Sequence, residues 1–530
     1  MKPDVALELK LHIADHLPKA ALASICATSR MHHVQLMPSL YSHIEMTHDE
    51  DGMRRGILLL KTLCLTSSSS PPRSENLSAY PAALVRELKL WLWFLPQEKN
   101  AKDAREFFRL QQLVAIALSQ TVHRSADGQS LLRVLHLYSN VGFDAVTPLL
   151  NGTCFGCLED FLVCAFDLEP SLRRTGFQFL QVPGLKSIVQ KEPIHHGAAE
   201  GSLVESFLRS LNLMPSASPG LTTLHIDLTW TAIDILKIIS ALNSLHLPNL
   251  EAARLRLFLD DLDDGEDADF RPFLAAHPSL RDVSVPLGRM ALPQDTLPLL
   301  QVFAGHTHDF LKVCDGTRPL QQLVISLYDD DYAEGLMEEP TPIANADTIL
   351  AALVHVPHLS RLALVNRPIH YNPTLLDDLV EDEDEEGNFF LSLSLLQLIV
   401  QRAPRLTHLE FHIKTPDDLI ALRALTSLEW LKIHTILQVS GHNGSGIYTQ
   451  YLQGVGETLN HHLVPVLPQL LEVVVGIIGV DDQDGEIFEQ EAQGGVVYNM
   501  GHVFRILPPT GDDRRAVKVG VVTYTESFLS

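Results

Sequence analysis

Cysteine is scarce in this chain, with six in 530 residues at irregular spacing. That excludes a disulfide framework and fits a reducing compartment, cytosol or nucleus. Long apolar runs are missing as well. No eighteen consecutive residues are apolar, so no stretch is expected to span a membrane. The start of the chain carries Asp4 and Glu8 and lacks an apolar signal core, so no secretory peptide is expected there. Positive charge is the third shortage. Lys and Arg number 40 against 65 Asp and Glu, a formal net charge of −25. So acidic a chain repels phosphate backbones, which excludes nucleic acid as an expected ligand. It biases partners toward basic protein surfaces.

Signatures of chemistry are also wanting. A nucleophile elbow is absent, because Gly444-Ser445-Gly446 lacks the outer frame. Gly454 and Gly456 begin a Gly-x-Gly, but Leu459 stands where a third glycine belongs. No Gly-Lys-Ser/Thr loop is available to cradle a phosphate. Cys154 and Cys157 form one pair with Cys164 nearby, and zinc needs a second pair. The 25 histidines scatter; His195-His196, His306, His308 and His461-His462 lack partners at helical metal spacing. From Val480 the string VDDQDGEIFEQE sets Asp482, Asp484, Gly485, Ile487 and Glu491 as a calcium loop would. Val480 occupies its first ligand place and cannot coordinate. The expectation is a protein with no catalytic residue, no metal and no cofactor.

What the chain does have is a repeat. Leu, two variable residues, an apolar residue, one variable residue and a third apolar residue recur along it. The unit reads VRELKL from Val85, LRVLHL from Leu132, LEDFLV from Leu158 and LKSIVQ from Leu185, where the last place holds Gln190. It continues as LTTLHI from Leu221, LEAARL from Leu250, LRDVSV from Leu280 and LQQLVI from Leu320. LSRLAL from Leu359, LTHLEF from Leu406, LEWLKI from Leu428 and LLEVVV from Leu470 complete twelve units, 22 to 47 residues apart. A proline stands two places before the first Leu at Pro183, Pro219, Pro248, Pro278, Pro357, Pro404 and Pro468. Proline ends a helix and favours extended backbone after it. Helical stripes precede several of these, such as Ile233, Leu236, Ile239 and Leu242, or Leu395, Leu398 and Ile399.

Each unit therefore reads as helix, proline stop and short strand. One unit cannot bury its own apolar face, but stacked neighbours can. The expected fold is α/β: an irregular leucine-rich-repeat solenoid with parallel strands on the concave side and helices on the convex side. Residues 53–66 read as the first outer helix, 67–78 as a polar loop, and VRELKLWLW as the first strand, its Trp91 and Trp93 covering the open end. Acidic inserts at 260–269, 329–339 and 377–387 read as solvated loops, or as a docking edge for basic segments. From Gly494 the chain alternates like strands, with a turn at Thr510-Gly511-Asp512-Asp513.

On the strands, residues between the Leu places point to the concave face. His408, Glu410 and His412 on one strand, and Trp430, Lys432 and His434 on the next, are the candidate target-binding residues. His225, Asp227, Arg254 and Arg256 belong to the same face. An exposed Trp beside Lys and Arg is the kind of group that anchors a protein interface. Each of these residues is also readable as a merely solvated strand position.

Ahead of the repeats, Val5 to Ile44 reads as three short amphipathic helices. Val5, Leu9, Ile13 and Leu17 form one stripe that Pro18 ends, and Leu22, Ile25 and Cys26 form the next. About forty residues seldom hold a stable core alone, so these helices pack on the array or await a partner. The stretch resembles an F-box, in the variant that precedes leucine-rich repeats in many fungal proteins. Glu8-Leu9, Ile13, Leu17, Leu22, Ser29-Arg30, Pro38 and Leu40-Tyr41 carry the resemblance, while Val5-Ala6 stands where that family has Leu-Pro.

The resemblance implies docking on the small adaptor subunit of a cullin–RING ubiquitin ligase through Leu9, Ile13, Leu17, Leu22, Leu40 and Tyr41. It implies a protein target held by the repeats, in the cytoplasm or nucleus. A plain helical cap is the alternative for these helices, and an interaction scaffold without ligase contact is the alternative for the whole. The expected organisation is 1–46 helical module, 47–480 repeat array and 481–530 β-rich cap.

Overall fold

The structure is a computed structural model. It describes residues 14, 16–46, 50–64, 81–92, 109–110, 112–118, 131–139, 157–165, 177–191, 201–228, 232–257, 269–285, 287, 292–326, 352–365, 393–439, 444–481, 499–507 and 515–524. Two compact units divide the chain, Met1–Ala252 and Ala253–Ser530.

The first unit carries helices α1 (Lys19–Thr28), α2 (Arg30–Tyr41), α3 (Glu50–Cys64), α4 (Gly201–Ala217) and α5 (Ala232–Ser244). Its strands are β1 (His43–Met46), β2 (Glu87–Leu92), β3 (Val134–Ser139), β4 (Asp160–Ala165), β5 (Ser187–Lys191) and β6 (Thr223–Leu228). From β1 to β6 each strand pairs in parallel with its neighbour in chain order.

In the second unit the strands are β7 (Ala252–Leu257), β8 (Asp282–Ser284), β9 (Val302–His306), β10 (Gln322–Ser326), β11 (Arg361–Val365), β12 (His408–His412), β13 (Trp430–Val439) and β14 (Glu472–Asp481). From β8 to β14 all pairs are parallel and follow chain order. Two antiparallel strands follow, β15 (Asn499–Leu507) and β16 (Arg515–Tyr524). Helices α6 (Arg271–Ala276), α7 (Thr307–Val313), α8 (Leu393–Arg402) and α9 (Gly444–Thr458) fall between strands. The architecture is thus α/β, with a mostly parallel open sheet that does not close into a barrel.

The Leu places explain why these residues stack. In β4 the unit's first, fourth and sixth places are Leu158, Phe161 and Val163, at most 1% exposed. In β12 they are Leu406, Leu409 and Phe411, and in β13 Leu428, Leu431 and Ile433, all equally buried. Each such side chain contributes about 1.5–3 kcal/mol, and each finds its cover in the neighbouring unit.

A backbone device repeats with them. The carbonyl at the second place accepts from two successive N–H groups of the following unit. Arg133 and Val134 donate to Arg86 O at 2.7 and 3.1 Å, and Glu429 and Trp430 donate to Thr407 O at 2.8 and 3.0 Å. The prolines take the second position of a tight turn rather than only ending a helix. Leu250 N donates to Leu247 O (3.0 Å) around Pro248, and Leu359 N to Val356 O (3.2 Å) around Pro357. At Pro183 the next residue, Gly184, has φ +82°, a conformation glycine adopts without strain.

Several sequence readings change. VRELKLWLW is not the first strand: β1 lies before β2, and Arg86 and Glu87 donate to Ser42 O at 2.8 and 2.9 Å. Trp91 therefore sits in a strand with a neighbour on each side. A further unit occurs at Leu300, as β9, with Gly305 at the sixth place, which is apolar and bulky in most other units. Its Leu300 and Phe303 are fully buried. In α8 the buried stripe runs through Leu396, Ile399 and Val400, with Leu398 half-buried. The loop at 67–78, the inserts at 260–268, 329–339 and 377–387, the residues 482–498 and the turn at 510–513 lie outside the described residues.

Candidate functional site

Strands β12 and β13 bring the six candidate target-binding residues together. Their register sets His408 opposite Trp430, Glu410 opposite Lys432 and His412 opposite His434, all on the face that the Leu places turn away from. The His408 and Trp430 rings stack, with centroids 6.1 Å apart and planes at 9°. His412 and His434 stack at 4.8 Å and 22°. Between the two stacks lies an ion cluster. Lys432 Nζ is 3.1 Å and His434 Nε2 is 2.9 Å from the same oxygen, Glu410 Oε1.

This is not the solvated row that the alternation implies. The Glu410 and Lys432 side chains are each 3% exposed, and that of His434 is 12% exposed. Ala363 on β11 and Val474 on β14 flank them in the same row, and both are buried. Small neighbours leave room for the long chains to fold flat, and the two ring stacks close the row above and below. Burial pushes the Glu410 carboxyl up. The hydrogen bond from His434 and the Lys432 charge outweigh it and hold the carboxyl at about 2. Its second oxygen, Oε2, makes no hydrogen bond among the described residues. Burial, aided by the Arg361 charge, takes His408 down to about 4, so the ring facing Trp430 is neutral at pH 7.

Cross-strand pairs recur elsewhere on this side of the strands. In the first unit His136 Nε2 lies 3.0 Å from Asp160 Oδ2. Burial opposes ionisation of Asp160, but that hydrogen bond and the charges of His136 and Lys89 keep its carboxyl below the usual range. In the second unit Arg254 grips Asp282 with two nitrogens, at 2.9 and 3.4 Å. Both pairs join the fifth place of one unit to the third place of the next. His225, at the fifth place of β6, is 6% exposed. The side chains of Asp227 and Arg256 lie outside the described ones. Asp160 and Asp282 give no signal within their own strands, because each pairing exists only across two strands.

At the N-terminus, Leu9 and Ile13 lie outside the described residues. Leu22 is 1% exposed and packs with Ala14, Cys26 and Leu36, while Ile25 and Leu40 lean on that cluster. Leu17, Leu40 and Tyr41 are half-buried. Ser29, between α1 and α2, accepts from His32 N–H at 3.1 Å, so Ser29 is the N-cap of α2 and Arg30 its first helical residue. Pro38 falls in the last turn of α2, and Met31 on the same helix is 47% exposed.

Among the described residues no group of three or more His, Cys, Asp or Glu side chains is placed to hold a metal ion. None of their helices is long and apolar enough to cross a membrane. The chain matches no family model, and no curated protein matches it.

Proposed function

We propose that the chain is an irregular leucine-rich-repeat solenoid led by an F-box-like helical module. In this reading it is the substrate-receptor subunit of a cullin–RING ubiquitin ligase in the cytoplasm or nucleus. The module docks the ligase adaptor, and the repeats hold a protein target. The observation that carries the reading is the strand stack. Parallel strands run in chain order with the Leu places on one face, and matched polar and aromatic residues occupy the other on β12 and β13. Arrays of this kind offer extended surfaces to protein partners.

The chain itself then does no chemistry. It raises the effective concentration of a target beside the ubiquitin-transferring subunits, and proximity does the rest. Half-buried Leu17, Leu40 and Tyr41, with exposed Met31, supply apolar area for an adaptor. Trp430 and His408 supply a flat, low-entropy anchor for the target.

A second reading is an interaction scaffold without ligase contact, its helices serving as the array's cap. Leu22 favours it, being sealed in the module's own cluster. So does the Ser42 carbonyl, which makes α2 continuous with the strand stack. Co-expression of the full chain with adaptor and cullin separates the two. The receptor reading expects a stoichiometric complex that Ile13→Asp and Leu17→Asp weaken at least about tenfold, roughly 1.4 kcal/mol. A folded chain that purifies free of adaptor establishes the scaffold instead.

A further inference from the structure

A groove of about 720 Å³ runs along α9 and faces the 3-10 helix Pro416–Ala424. These elements connect β13 to β14 and β12 to β13, so the groove lies off the strands. Its volume is that of a ligand site, roughly 300–1,000 Å³. Pro416 and Asp417 form one wall, and Gln450, Gln453, Glu457 and His461 recur every three or four residues along the other. Gly454 lets the walls approach, since a Cβ there would stand 3.3 Å from Pro416 Cγ. At its far end α9 passes into a π-turn, Leu459–Leu463, where Val464 N–H donates to Leu459 O at 2.9 Å. Such turns are frequent at functional sites, and here both His461 and His462 line the groove.

The charge of the groove is negative and uncompensated. Asp418 caps the 3-10 helix, accepting from Thr415 N–H at 3.1 Å. Asp417, exposed beside it, makes no hydrogen bond or ion pair among the described residues. Glu457, also exposed, accepts from Gln453 Nε2 at 2.9 Å through Oε1 and meets no cation among them. With its nitrogen so engaged, Gln453 keeps its amide oxygen as an acceptor. Arg423, the basic residue of the 3-10 helix, is committed elsewhere. Its Nε donates to His462 O at 3.1 Å and its Nη2 to His462 Nδ1 at 2.7 Å. The negative potential reaches Tyr451 on the α9 wall, where burial and then the Asp418 charge push the hydroxyl up to about 12.

We propose that this groove receives a basic segment of a partner protein, whose arginine or lysine side chains lie against Asp417 and Glu457. Carboxylates on both walls turn away an anionic ligand. An apolar ligand would cut them off from water, at a cost that exceeds what its own burial contributes. A second copy of this chain fits poorly, because a net charge of −25 leaves it little basic surface to offer. From Gln450 to His461 the wall is about 16 Å long, at a rise of about 1.5 Å per residue. That is the length of about five extended residues, so a short segment can set more than one cation in the groove. The inference is independent of adaptor docking, which involves the helices at the start of the chain.

The test is fluorescence anisotropy with the full chain and a labelled ten-residue peptide alternating Arg and Ser. Saturable binding is expected, and it falls at least about tenfold when neutral citrulline replaces Arg. The double variant Asp417→Asn/Glu457→Gln, shown by circular dichroism to be folded, loses binding to the same degree. Glu205→Gln/Glu251→Gln removes as much charge from exposed positions of the first unit and leaves binding unchanged. Equal losses in the two double variants would mean attraction by net charge alone and overturn the proposal. So would unchanged binding in the groove variant or no binding of the parent peptide. Displacement by spermidine at the concentration at which unlabelled peptide competes would assign the groove to a free polyamine and overturn it too.

Discussion

The ammonium of Lys432 and the carboxylate of Glu410 lie 3.1 Å apart on neighbouring parallel strands, each side chain 3% exposed. A pair that dry is a liability if one partner is lost, because the other stays charged without water. Removing one member of a buried pair costs about 3–5 kcal/mol, whereas replacing both with apolar residues is often close to neutral. Glu410→Gln and Lys432→Met are each expected to lower the denaturation midpoint sharply. The double variant Glu410→Leu/Lys432→Met is expected to recover most of that loss. Chemical denaturation followed by tryptophan fluorescence reads all three, and additive losses in the double variant would contradict the pairing.

Acid acts on two histidines before it reaches this carboxylate. His408 and His502 drop from 6.5 to about 4 on folding, both through burial, with Arg361 and Lys518 adding repulsion. Each binds its proton less readily folded than unfolded. Their contribution is therefore complete above pH 6.5 and is lost as pH falls to about 4. Glu410, lowered from 4.5 to about 2, adds stability that disappears only below 4.5. The melting temperature is expected to decline already between pH 6.5 and 4.5, and less steeply in His502→Phe. A melting temperature flat over that interval would show that neither ring is held neutral.

Two glycines make room for rings. A Cβ at Gly305 would stand 2.7 Å from Phe303 Cζ, and one at Gly476 would stand 2.9 Å from His434 Nδ1. Gly305→Ala is expected to cost about 1–3 kcal/mol by overpacking, since Phe303 is fully buried and has no space to retreat. Gly476→Ala should instead move the His434 ring and loosen its stack on His412, which histidine NMR signals would register. An unshifted His434 resonance in that variant would count against the arrangement.

The strand stack was legible because its signal is repeated: Leu409, Phe411, Leu431 and Ile433 occupy places that twelve strings shared. Two strands escaped for local reasons. β9 has Gly305 where the pattern wants bulk, because the Phe303 ring fills that space. β1 follows directly from α2, so Tyr41-Ser42 reads as the end of a helix rather than the entry to a unit. The six candidate site residues were legible as a face but not as a cluster. Alternation tells which way Glu410 and Lys432 point. Their burial depends on the neighbours Ala363 and Val474, which register alone supplies. Leu22 is legible as part of an apolar stripe, but its packing with Ala14, Cys26 and Leu36 shows only in the fold.

Hydrogen–deuterium exchange of the full chain, with and without the purified ligase adaptor, tests the receptor assignment most directly. Receptor function predicts slower exchange in Ala14 to Met46 when the adaptor is added, with β12 and β13 unchanged and left open to a target. Exchange that is identical in both samples across Ala14 to Met46 would contradict it.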